Sequence, residues 1–334
     1  MTAADDMRRL IGGFRVTQML YVAAVLGISD LLVDGPRSVE DLATATGSDA
    51  DSLRRMLSAL AAVGVYVEEG DGTFGLDDLG AELCSGRPAA LRDWAMVVGE
   101  TSHWSAWGHL LHSIRTGENA FTALHGTTVW EYRAHHPDLG ALFDRAMAGM
   151  TEPIVQAVVG AYDFAEVNTV VDVAGGRGGL LVGILAANRH LSGTLFDQPQ
   201  VVEDAGSHVP PDIADRLSLV AGSFFESVPA GGDVYLLKSI IHDWDDEEAL
   251  AILRVCRDAM SDQSRLLLVE IVLEGPNSGA ETKILDIQML TMLGGRERSE
   301  PEYARLLKSA GLELRRVIPT ASPVSILEAT RLRG

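Results

Sequence analysis

The sequence predicts an α/β protein in which a Rossmann-like domain, with a mostly parallel sheet and an antiparallel edge hairpin, follows an α-helical and winged-helix domain. Three observations predict this fold class. Residues 170–179 form an apolar strand and a glycine-packed turn, apolar strands alternate with amphipathic stretches through the second half, and helix-capping signals precede a two-strand wing in the first half. We expect an N-terminal domain at 1–90, a helical connector at 91–163 and a C-terminal domain at 164–334.

The first predicted helix is apolar along most of its length, from Ile11 to Leu31. A helix with so many apolar residues is not stable when it is exposed to solvent on a surface. We therefore expect it to lie in the interface of a homodimer. A membrane helix is the alternative, but Arg15 and Asp30 are among the charges that keep the apolar run below the ~20 residues needed to span a bilayer. Asp5 and Asp6 precede the helix and no cleavage site follows it, which disfavours a signal peptide.

Residues 38–82 predict a winged helix. Two capping boxes, Ser38–Asp41 and Ser48–Asp51, precede apolar residues at helical spacing, and two strands joined by residues 69–72 follow. Winged helices commonly bind DNA, which requires basic residues that neutralise phosphates. Residues 37–82 contain only three basic residues against ten acids, and the chain has a net charge of −20. We therefore expect no nucleic-acid partner.

The glycine turn at residues 174–179 predicts a ligand site. Glycine allows a tight reversal from strand to helix and a close approach of the backbone to a ligand, although ordinary βα turns can be glycine-rich too. The next strand ends at Asp197, 25 residues after Asp172, and its carboxylate can hold the ribose of any adenosine-containing cofactor, NAD included. Ala174 breaks the NAD fingerprint. S-adenosylmethionine (SAM) has no pyrophosphate, so this departure affects SAM binding less.

Further apolar strands follow the turn at a spacing typical of a doubly wound sheet. The last two read as a hairpin added at one edge of the sheet. The predicted strands are residues 217–220, 233–237, 266–272, 312–314 and 324–327.

Polar residues cluster where the predicted central strands end. Asp245 or Asp246 caps a helix, and Glu247 and Glu248 complement its dipole, so we expect no metal site there. His242 follows the fourth strand at the edge where such sheets bind substrates. A lone histidine is often structural, but a carboxylate on one ring nitrogen fixes the tautomer and raises the basicity of the other nitrogen. Two carboxylates suit that role, Glu270 at the end of the next strand and Glu297 in a later loop.

The chain as a whole resembles the SAM-dependent O-methyltransferases of the caffeate and hydroxyindole type, which include bacterial enzymes that tailor aromatic polyketides and phenazines. The motifs that carry the resemblance are residues 172–178, Asp197, residues 222–225, 238–243 and 294–299. Two positions depart from the family pattern. Ala174 replaces a glycine, and Ser223 replaces an acid that often contacts the adenine amine.

The resemblance implies a cofactor, SAM with S-adenosylhomocysteine as product, and a role for each motif. His242 would be the general base, oriented by Glu270 and Glu297, with no metal. Asp243 would be a polar contact beside the acceptor. The cofactor would be held by Asp172, Gly175, Gly176, Asp197, Gly222, Ser223, Phe224 and Lys238.

The connector resembles the family's helical cover over an aromatic acceptor. Aromatic and methionine side chains suit a flat apolar ring, although most such residues are simply helical core. We expect Arg15 to reach the acceptor from the partner subunit of the homodimer. The expected pocket lining consists of Trp104, Phe143, Met147, Met150, Met289 and Met292.

We therefore expect an O-methyltransferase acting on a phenolic hydroxyl of an aromatic secondary metabolite. The chain has only two cysteines, Cys84 and Cys256, so we expect a cytoplasmic location and no membrane partner. N- or C-methylation, or decarboxylation or hydroxylation without methylation, are alternatives on the same scaffold. A winged-helix ligand sensor and an NAD dehydrogenase are alternatives of other classes.

Overall fold

The computed structural model describes residues 2–70, 72–207 and 209–332, and it divides the chain into two compact units. The first unit comprises residues 1–108 and Trp130–Met150, and the second comprises His109–Val129 and Thr151–Gly334. Both units therefore contain parts of residues 91–163. The functional division into three parts stays a prediction.

The first unit is mainly helical, with a small three-stranded antiparallel sheet in the order β1-β3-β2. A core that includes Ile28, Leu42, Leu57, Leu60 and Phe74 joins the sheet to its helices. The elements that begin in this unit before Gly108 are α1 (Ala3–Leu26), α2 (Ile28–Leu31), β1 (Arg37–Ser38), α3 (Val39–Thr46), α4 (Ala50–Ala62), β2 (Tyr66–Glu69), β3 (Thr73–Leu76), α5 (Asp78–Ala81), α6 (Leu91–Gly99) and α7 (Thr101–Gly108).

The helix caps confirm one of the two predicted capping sites in the winged helix. The Ser38 hydroxyl accepts a hydrogen bond from the Asp41 N–H at the start of α3. The prediction of Ser48 as the second cap is wrong, because Asp49 accepts from the Ser52 N–H and Ser48 pairs with Thr46 instead. The wing strands are β2 and β3, and Asp71, one of the residues predicted to join them, lies outside the described residues.

Four helices lie in the middle of the chain. α8 (Leu110–Thr116) and α9 (Ala120–His125) belong to the second unit. α10 (Val129–His135) lies almost wholly in the first unit, and α11 (Pro137–Ala161) has its first part there and its last part in the second.

The second unit is a doubly wound α/β domain. Its seven-stranded sheet has the order β6-β5-β4-β7-β8-β10-β9. β10 runs antiparallel to both of its neighbours, β8 and β9, and the other pairs of neighbouring strands are parallel. The predicted edge hairpin is confirmed. The remaining elements are β4 (Thr169–Val173), α12 (Gly179–Ala187), β5 (Ser192–Asp197), α13 (Pro199–Gly206), β6 (Leu217–Ala221), β7 (Val234–Lys238), α14 (Asp246–Ala259), β8 (Arg265–Ile271), α15 (Ala280–Met292), α16 (Glu300–Ser309), β9 (Leu312–Pro319) and β10 (Val324–Arg331).

Two hydrophobic clusters cover the two faces of this sheet. Alternate residues of one strand face opposite clusters, so that Tyr235 and Leu237 belong to one cluster and Val234 and Leu236 to the other. All four side chains are fully buried. Burial on both faces explains why these strands read as continuous apolar runs in the sequence.

The N-terminal helix α1 exposes a stripe of large apolar side chains. Met7, Leu10, Ile11 and Phe14 recur at helical spacing and are between 54% and 73% exposed. We call these four residues the α1 stripe. In the part of the chain that the structure describes, no helix is both long enough and apolar enough to span a membrane.

Candidate active site

The parallel sheet brings three predicted site residues to one edge. β4, β7 and β8 are neighbours, and their carboxyl ends carry Asp172, Lys238 and Glu270. β5 lies on one side of β4 in the sheet, and β7 lies on the other side. The order of the strands therefore reverses at β4, and doubly wound sheets bind ligands at the carboxyl ends of the strands at such a switch point.

The glycine turn after β4 has the geometry of a close backbone approach. Gly176 has φ +59° and its N–H donates to Asp197 Oδ2 at 2.8 Å, which ties the turn to the end of β5. A Cβ at Gly176 would meet no atom within 4 Å, whereas a Cβ at Gly175 would lie 2.4 Å from Asp172 Oδ2. The turn is thus tightly packed against Asp172 at Gly175 and leaves room for a ligand at Gly176.

Backbone strain marks the same edge. Of the four described non-glycine residues with positive φ, Ala174 (+56°) follows β4 and Ser239 (+54°) follows β7. An L-residue in this region costs on the order of 1–3 kcal/mol and persists where its surroundings impose it, commonly at functional sites. Ala174 therefore stands where a glycine would be unstrained.

Asp172 is buried on β4, and the half-buried Lys238 is close enough for the charge of each residue to shift the pKa of the other. Burial raises the pKa of Asp172 to about 7, against the opposing charge of Lys238. Burial likewise lowers the pKa of Lys238, whose Nζ donates to the Thr151 hydroxyl at 3.2 Å. Among the described residues, Asp172 Oδ2 has no hydrogen-bond partner. When Asp172 is ionised, this oxygen can accept a hydrogen bond from a donor that reaches it.

The loop after β6 lies beside Asp197, which accepts the hydrogen bond from the glycine turn. The Gly222 N–H donates to the Asp197 carbonyl at 2.9 Å, and a Cβ at Gly222 would lie 2.5 Å from the Phe196 ring. Ser223 accepts from the Phe225 N–H at 3.3 Å, and Phe224 stacks edge-on with Trp244 at 5.9 Å. The contacts of Ser223 and Phe224 with adenine stay a prediction.

His242 lies in a short 3-10 turn, Ile241–Asp243, directly after β7. Its Nδ1 is 2.7 Å from Glu297 Oε1, and its Nε2 is 3.3 Å from Asp243 Oδ1. The histidine side chain is 13% exposed, so one edge of the ring still reaches open space.

Glu270 and Glu297 act on His242 in different ways. Glu270 Oε2 is 3.8 Å from Nδ1, beyond a hydrogen bond, while its Oε1 accepts from the Ile240 and Ile241 N–H groups at 3.0 and 2.8 Å. Glu297 is placed by its own N–H, which donates to Asp286 Oδ1 at 2.8 Å. Glu297 thus orients the imidazole, and Glu270 holds the main chain that carries it.

The buried carboxylates alter the proton affinity of the imidazole. Burial alone would lower the pKa of His242, but the charges of Glu270, Asp243 and Glu297 outweigh burial and raise it above its ordinary value. Burial also raises the pKa of Glu270, despite the opposing charge of His242. The cluster therefore favours an imidazole that accepts a proton readily.

His242, Glu270 and Glu297 also have the composition of a metal-ligand set, with donor atoms within 4.8 Å of one another. However, the 2.7 Å separation of Nδ1 and Oε1 is a hydrogen-bond distance. It is shorter than two ligands can be when each lies ~2.0–2.2 Å from a tetrahedral ion. The geometry is that of a carboxylate-oriented histidine.

The residues expected to line an acceptor pocket lie in both units. In the first unit, Trp104 lies on α7, Phe143 and Met147 pack in a small helical cluster, and half-buried Met150 follows on α11. Arg15 is exposed on α1, and in the second unit Met289 and Met292 are buried on α15. Contact of these seven residues with an acceptor stays a prediction.

The sequence analysis assigned no role to three residues that support the site, although two of them belong to the motif at residues 294–299. Thr151 pairs with Lys238 from far away in the sequence, and no sequence pattern signals this contact. A Cβ at Gly295 would lie 2.0 Å from the His242 carbonyl oxygen. Arg298 is 1% exposed, and its place in the charged segment after α15, next to Glu297, is a sequence feature that could have indicated a role in the site.

Comparison with known proteins establishes the class. Residues 107–313 match the model of the O-methyltransferase domain, and residues 8–85 match that of the O-methyltransferase dimerisation domain. The chain belongs to this family and is a SAM-dependent O-methyltransferase.

Three relatives illustrate the likeness. The phenazine O-methyltransferase PhzM of Lysobacter antibioticus is 44% identical over 96% of this chain and 94% of its own. The mitomycin biosynthesis 6-O-methyltransferase of Streptomyces lavendulae is 39% identical over 98% and 95%. The crystal structure of NcsB1, an O-methyltransferase from neocarzinostatin biosynthesis in complex with SAM and 2-hydroxy-5-methyl naphthoic acid, is 37% identical, has a TM-score of 0.84 and covers 95% of this chain and 96% of its own.

Proposed function

We propose that this enzyme methylates a phenolic hydroxyl of an aromatic small molecule of secondary metabolism, with His242 as the general base. The observation that carries the proposal is the 2.7 Å hydrogen bond from Nδ1 to Glu297, which commits one ring nitrogen and leaves Nε2 to accept a proton. The relatives acting on phenazine and hydroxynaphthoate compounds support this acceptor class.

The residues of the glycine turn fit SAM. We propose that the turn at Gly175 and Gly176 receives the methionine part, where unpartnered Asp172 Oδ2 can accept from an ammonium group. Asp197 holds the ribose, and Ser223 and Phe224 flank the adenine. When bound, SAM supplies a methyl group on a sulfonium, whose positive charge also disfavours protonation of a neighbouring imidazole.

The acceptor chemistry follows from the base. A phenol with a pKa near that of tyrosine, about 10, can lose its proton to a histidine whose pKa is raised, whereas an aliphatic alcohol cannot do so readily. Positioning of the acceptor contributes roughly 7–11 kcal/mol of barrier lowering, and a well-placed base about 10²- to 10⁴-fold. Asp243 contributes a polar contact beside Nε2. We keep Trp104, Phe143, Met147, Met150, Met289, Met292 and Arg15 as candidate acceptor contacts.

The dimerisation-domain match and the α1 stripe support a homodimer, and we include it in the proposal together with a cytoplasmic location. The three-part division of the chain, with residues 91–163 as the acceptor cover, also belongs to the proposal.

The test is an incubation of the protein with methyl-labelled SAM and a panel of hydroxyphenazines, phenolic polyketides, hydroxybenzoates and matched aliphatic alcohols and anilines. We expect label on phenolic oxygen only. His242→Gln should lower turnover about 10²- to 10⁴-fold while SAM still binds, because the base is lost and the cofactor site is not. Label on nitrogen or carbon, or full turnover by His242→Gln, would contradict the proposal.

A further inference from the structure

Arg298 is a buried cation next to the proposed base. Its side chain is 2% exposed, and it is the largest of the fully buried side chains described. A buried guanidinium is costly unless its N–H groups are paired. Where those N–H groups point therefore indicates what the residue is for.

The guanidinium binds the main chain on both sides of His242. Nη1 donates to the Ile241 carbonyl at 2.9 Å, and Nη2 donates to the Trp244 carbonyl at 3.0 Å. Nε and Nη2 also contact Asp246 Oδ1 at 3.0 and 2.8 Å. These bonds hold the 3-10 turn of His242 and the start of α14 to one rigid group.

The loop that carries Arg298 is held to the same turn by a second route. The Arg296 N–H donates to the His242 carbonyl at 2.8 Å. Glu297 lies between Arg296 and Arg298 in the sequence, and its carboxylate accepts a hydrogen bond from Nδ1 of His242. The loop thus supplies both the acceptor for the imidazole and the clamp on its main chain, so a shift of Arg298 changes both together.

Arg257, at the other end of α14, provides a matched comparison. Its Nη1 donates to the Ala310 carbonyl at 2.8 Å, and its guanidinium pairs with Asp258 at 2.6 Å. It therefore makes the same types of bond as Arg298, but it contacts neither the turn of His242 nor its carboxylates. Arg257 is 29% exposed and Arg298 is 2% exposed, so Arg257 controls for the loss of such bonds away from the site and not for burial. If the bonds of Arg298 serve only to hold the fold, its substitution should lower stability and leave the imidazole of His242 in place.

We infer that Arg298 is a positioning residue for methyl transfer, which fixes the main chain around His242 so that Nδ1 stays on Glu297 and Nε2 stays in place. This inference rests on the proposed role of His242 as the base.

The test compares Arg298→Met with Arg257→Met, using 1-hydroxyphenazine or whichever acceptor of the panel the unaltered enzyme methylates. We expect Arg298→Met to lower kcat about 10²-fold, the usual effect of a misplacement near 1 Å. KM for SAM should change by less than about threefold, since the cofactor turn is untouched. Arg298→Lys should recover about tenfold of the loss, because a lysine restores the charge but only some of the bonds.

An acceptor-independent measurement accompanies the kinetics. In the free enzyme labelled with ¹⁵N-histidine, the Nδ1–H resonance of His242, assigned by its absence in His242→Gln, reports the bond to Glu297. We expect this resonance to weaken or move in Arg298→Met and to stay unchanged in Arg257→Met. If no acceptor in the panel is methylated, the proposed function fails while this arm still tests the inference.

A milder pair guards against misfolding of Arg298→Met. Asp246→Asn removes the charge partner of Arg298 on a side chain that is 66% exposed, and Asp258→Asn does the same for Arg257. Only Asp246→Asn should shift the His242 resonance and lower kcat. The inference is overturned if the Arg298 and Arg257 variants lose kcat in the same proportion, or if the resonance is the same in all four variants.

Discussion

His242 takes its chemistry from side chains of three separate segments of the chain. Asp243 is its neighbour, Glu270 comes from β8, and Glu297 comes from the loop after α15. Each carboxylate favours the protonated imidazole, and together they outweigh the burial that opposes it. The pKa of His242, the proposed base, therefore depends on residues that only the folded sheet brings together.

Glu270→Gln should shift the pH dependence of turnover without unfolding the site. The amide oxygen can still accept the N–H groups of Ile240 and Ile241, but the negative charge that raises the pKa of His242 is lost. A base works when it is unprotonated, so the rate rises with pH through its pKa. A lower pKa moves this rising limb to lower pH.

The measurement is kcat/KM against pH for Glu270→Gln and for a control, Glu166→Gln, whose side chain is 89% exposed. Glu166→Gln should follow the unaltered enzyme. A rising limb that stays in place or moves to higher pH in Glu270→Gln would show that Glu270 does not act on the imidazole through its charge.

Two loops are packed together around the base, and glycine makes this possible. The Cβ of an alanine at Gly295 would lie 2.0 Å from the His242 carbonyl oxygen and 2.4 Å from the Asp243 carbonyl carbon. Both atoms are backbone, so the loops have to separate. Gly295→Ala should therefore lower the free energy of unfolding by about 1–3 kcal/mol, as overpacking does. It should also lower kcat, with a smaller effect on KM for SAM.

Gly160→Ala is the control, because a Cβ there meets nothing within 4 Å and the residue is exposed near the end of α11. An alanine in a helix is favoured by up to about 1 kcal/mol, so this variant should be neutral or slightly stabilised. Thermal unfolding and turnover of the two variants give the comparison. Equal behaviour would mean that the contact between the loops does not constrain the site.

Two acids close to opposite ends of β4, Asp172 on the strand itself and Asp233 just before β7, have pKa values shifted in opposite directions. At the carboxyl end, burial raises the pKa of Asp172 to about 7. At the amino end, Asp233 is affected by burial, which raises its pKa, but the N–H groups of Asn168 and Thr169 outweigh this and lower it. Asp172 on β4 is thus destabilised when it is ionised, whereas Asp233, which precedes β7, is stabilised when it is ionised.

These shifts give stability effects of opposite sign. The folded protein binds the Asp172 proton more tightly than the unfolded chain does, so its contribution to stability falls as pH rises from about 4 to 7. Asp233 contributes stability above its unfolded pKa and loses it as pH falls through the lowered folded pKa.

Differential scanning fluorimetry of the SAM-free protein measures both effects. Relative to the unaltered protein, the Tm of Asp172→Asn should rise as pH increases from 5 to 8, because the strained ionised form is absent. The relative Tm of Asp233→Asn should instead fall as pH increases through the acid range. SAM affinity should drop for Asp172→Asn alone, and parallel pH trends for the two variants would refute this assignment.

The elements could be predicted from the sequence because their signals are local. Continuous apolar runs located the strands of the parallel sheet, and the pairing of β9 and β10 followed from their short separation. The second capping box was misplaced by one residue, since Asp49 and Ser48 both suit the position and only the helix start decides between them. The contacts of Gly295 and Thr151 could not be predicted, because in each case the neighbour that they contact is distant in sequence.

The chain combines a strong negative net charge with an exposed apolar face on α1. With a net charge of −20, association of two copies has to overcome electrostatic repulsion. The α1 stripe offers four large side chains that are exposed in the single chain. Burial of a side chain of this size contributes about 1.5–3 kcal/mol, so we propose the stripe as a contact between the two subunits.

Phe14→Glu combined with Leu10→Glu should convert the protein to a monomer. The control is Leu79→Glu, a leucine in the same unit that is 57% exposed but lies outside the stripe. Analytical ultracentrifugation over a range of concentrations distinguishes the states. A dimer that persists in the double variant, or one that is lost equally in Leu79→Glu, would place the interface elsewhere.

The direction of β10 has a practical consequence for attaching probes. β10 runs opposite to its neighbour β8, with Val324 opposite Ile271 and Thr330 opposite Arg265. The chain therefore leaves the sheet beside Arg265 at the amino end of β8, five residues and about 17 Å along the strand from Glu270 at ~3.3 Å per residue. A fluorophore or affinity tag fused after Arg331 would thus report on the enzyme, or immobilise it, from the end of the sheet away from the imidazole.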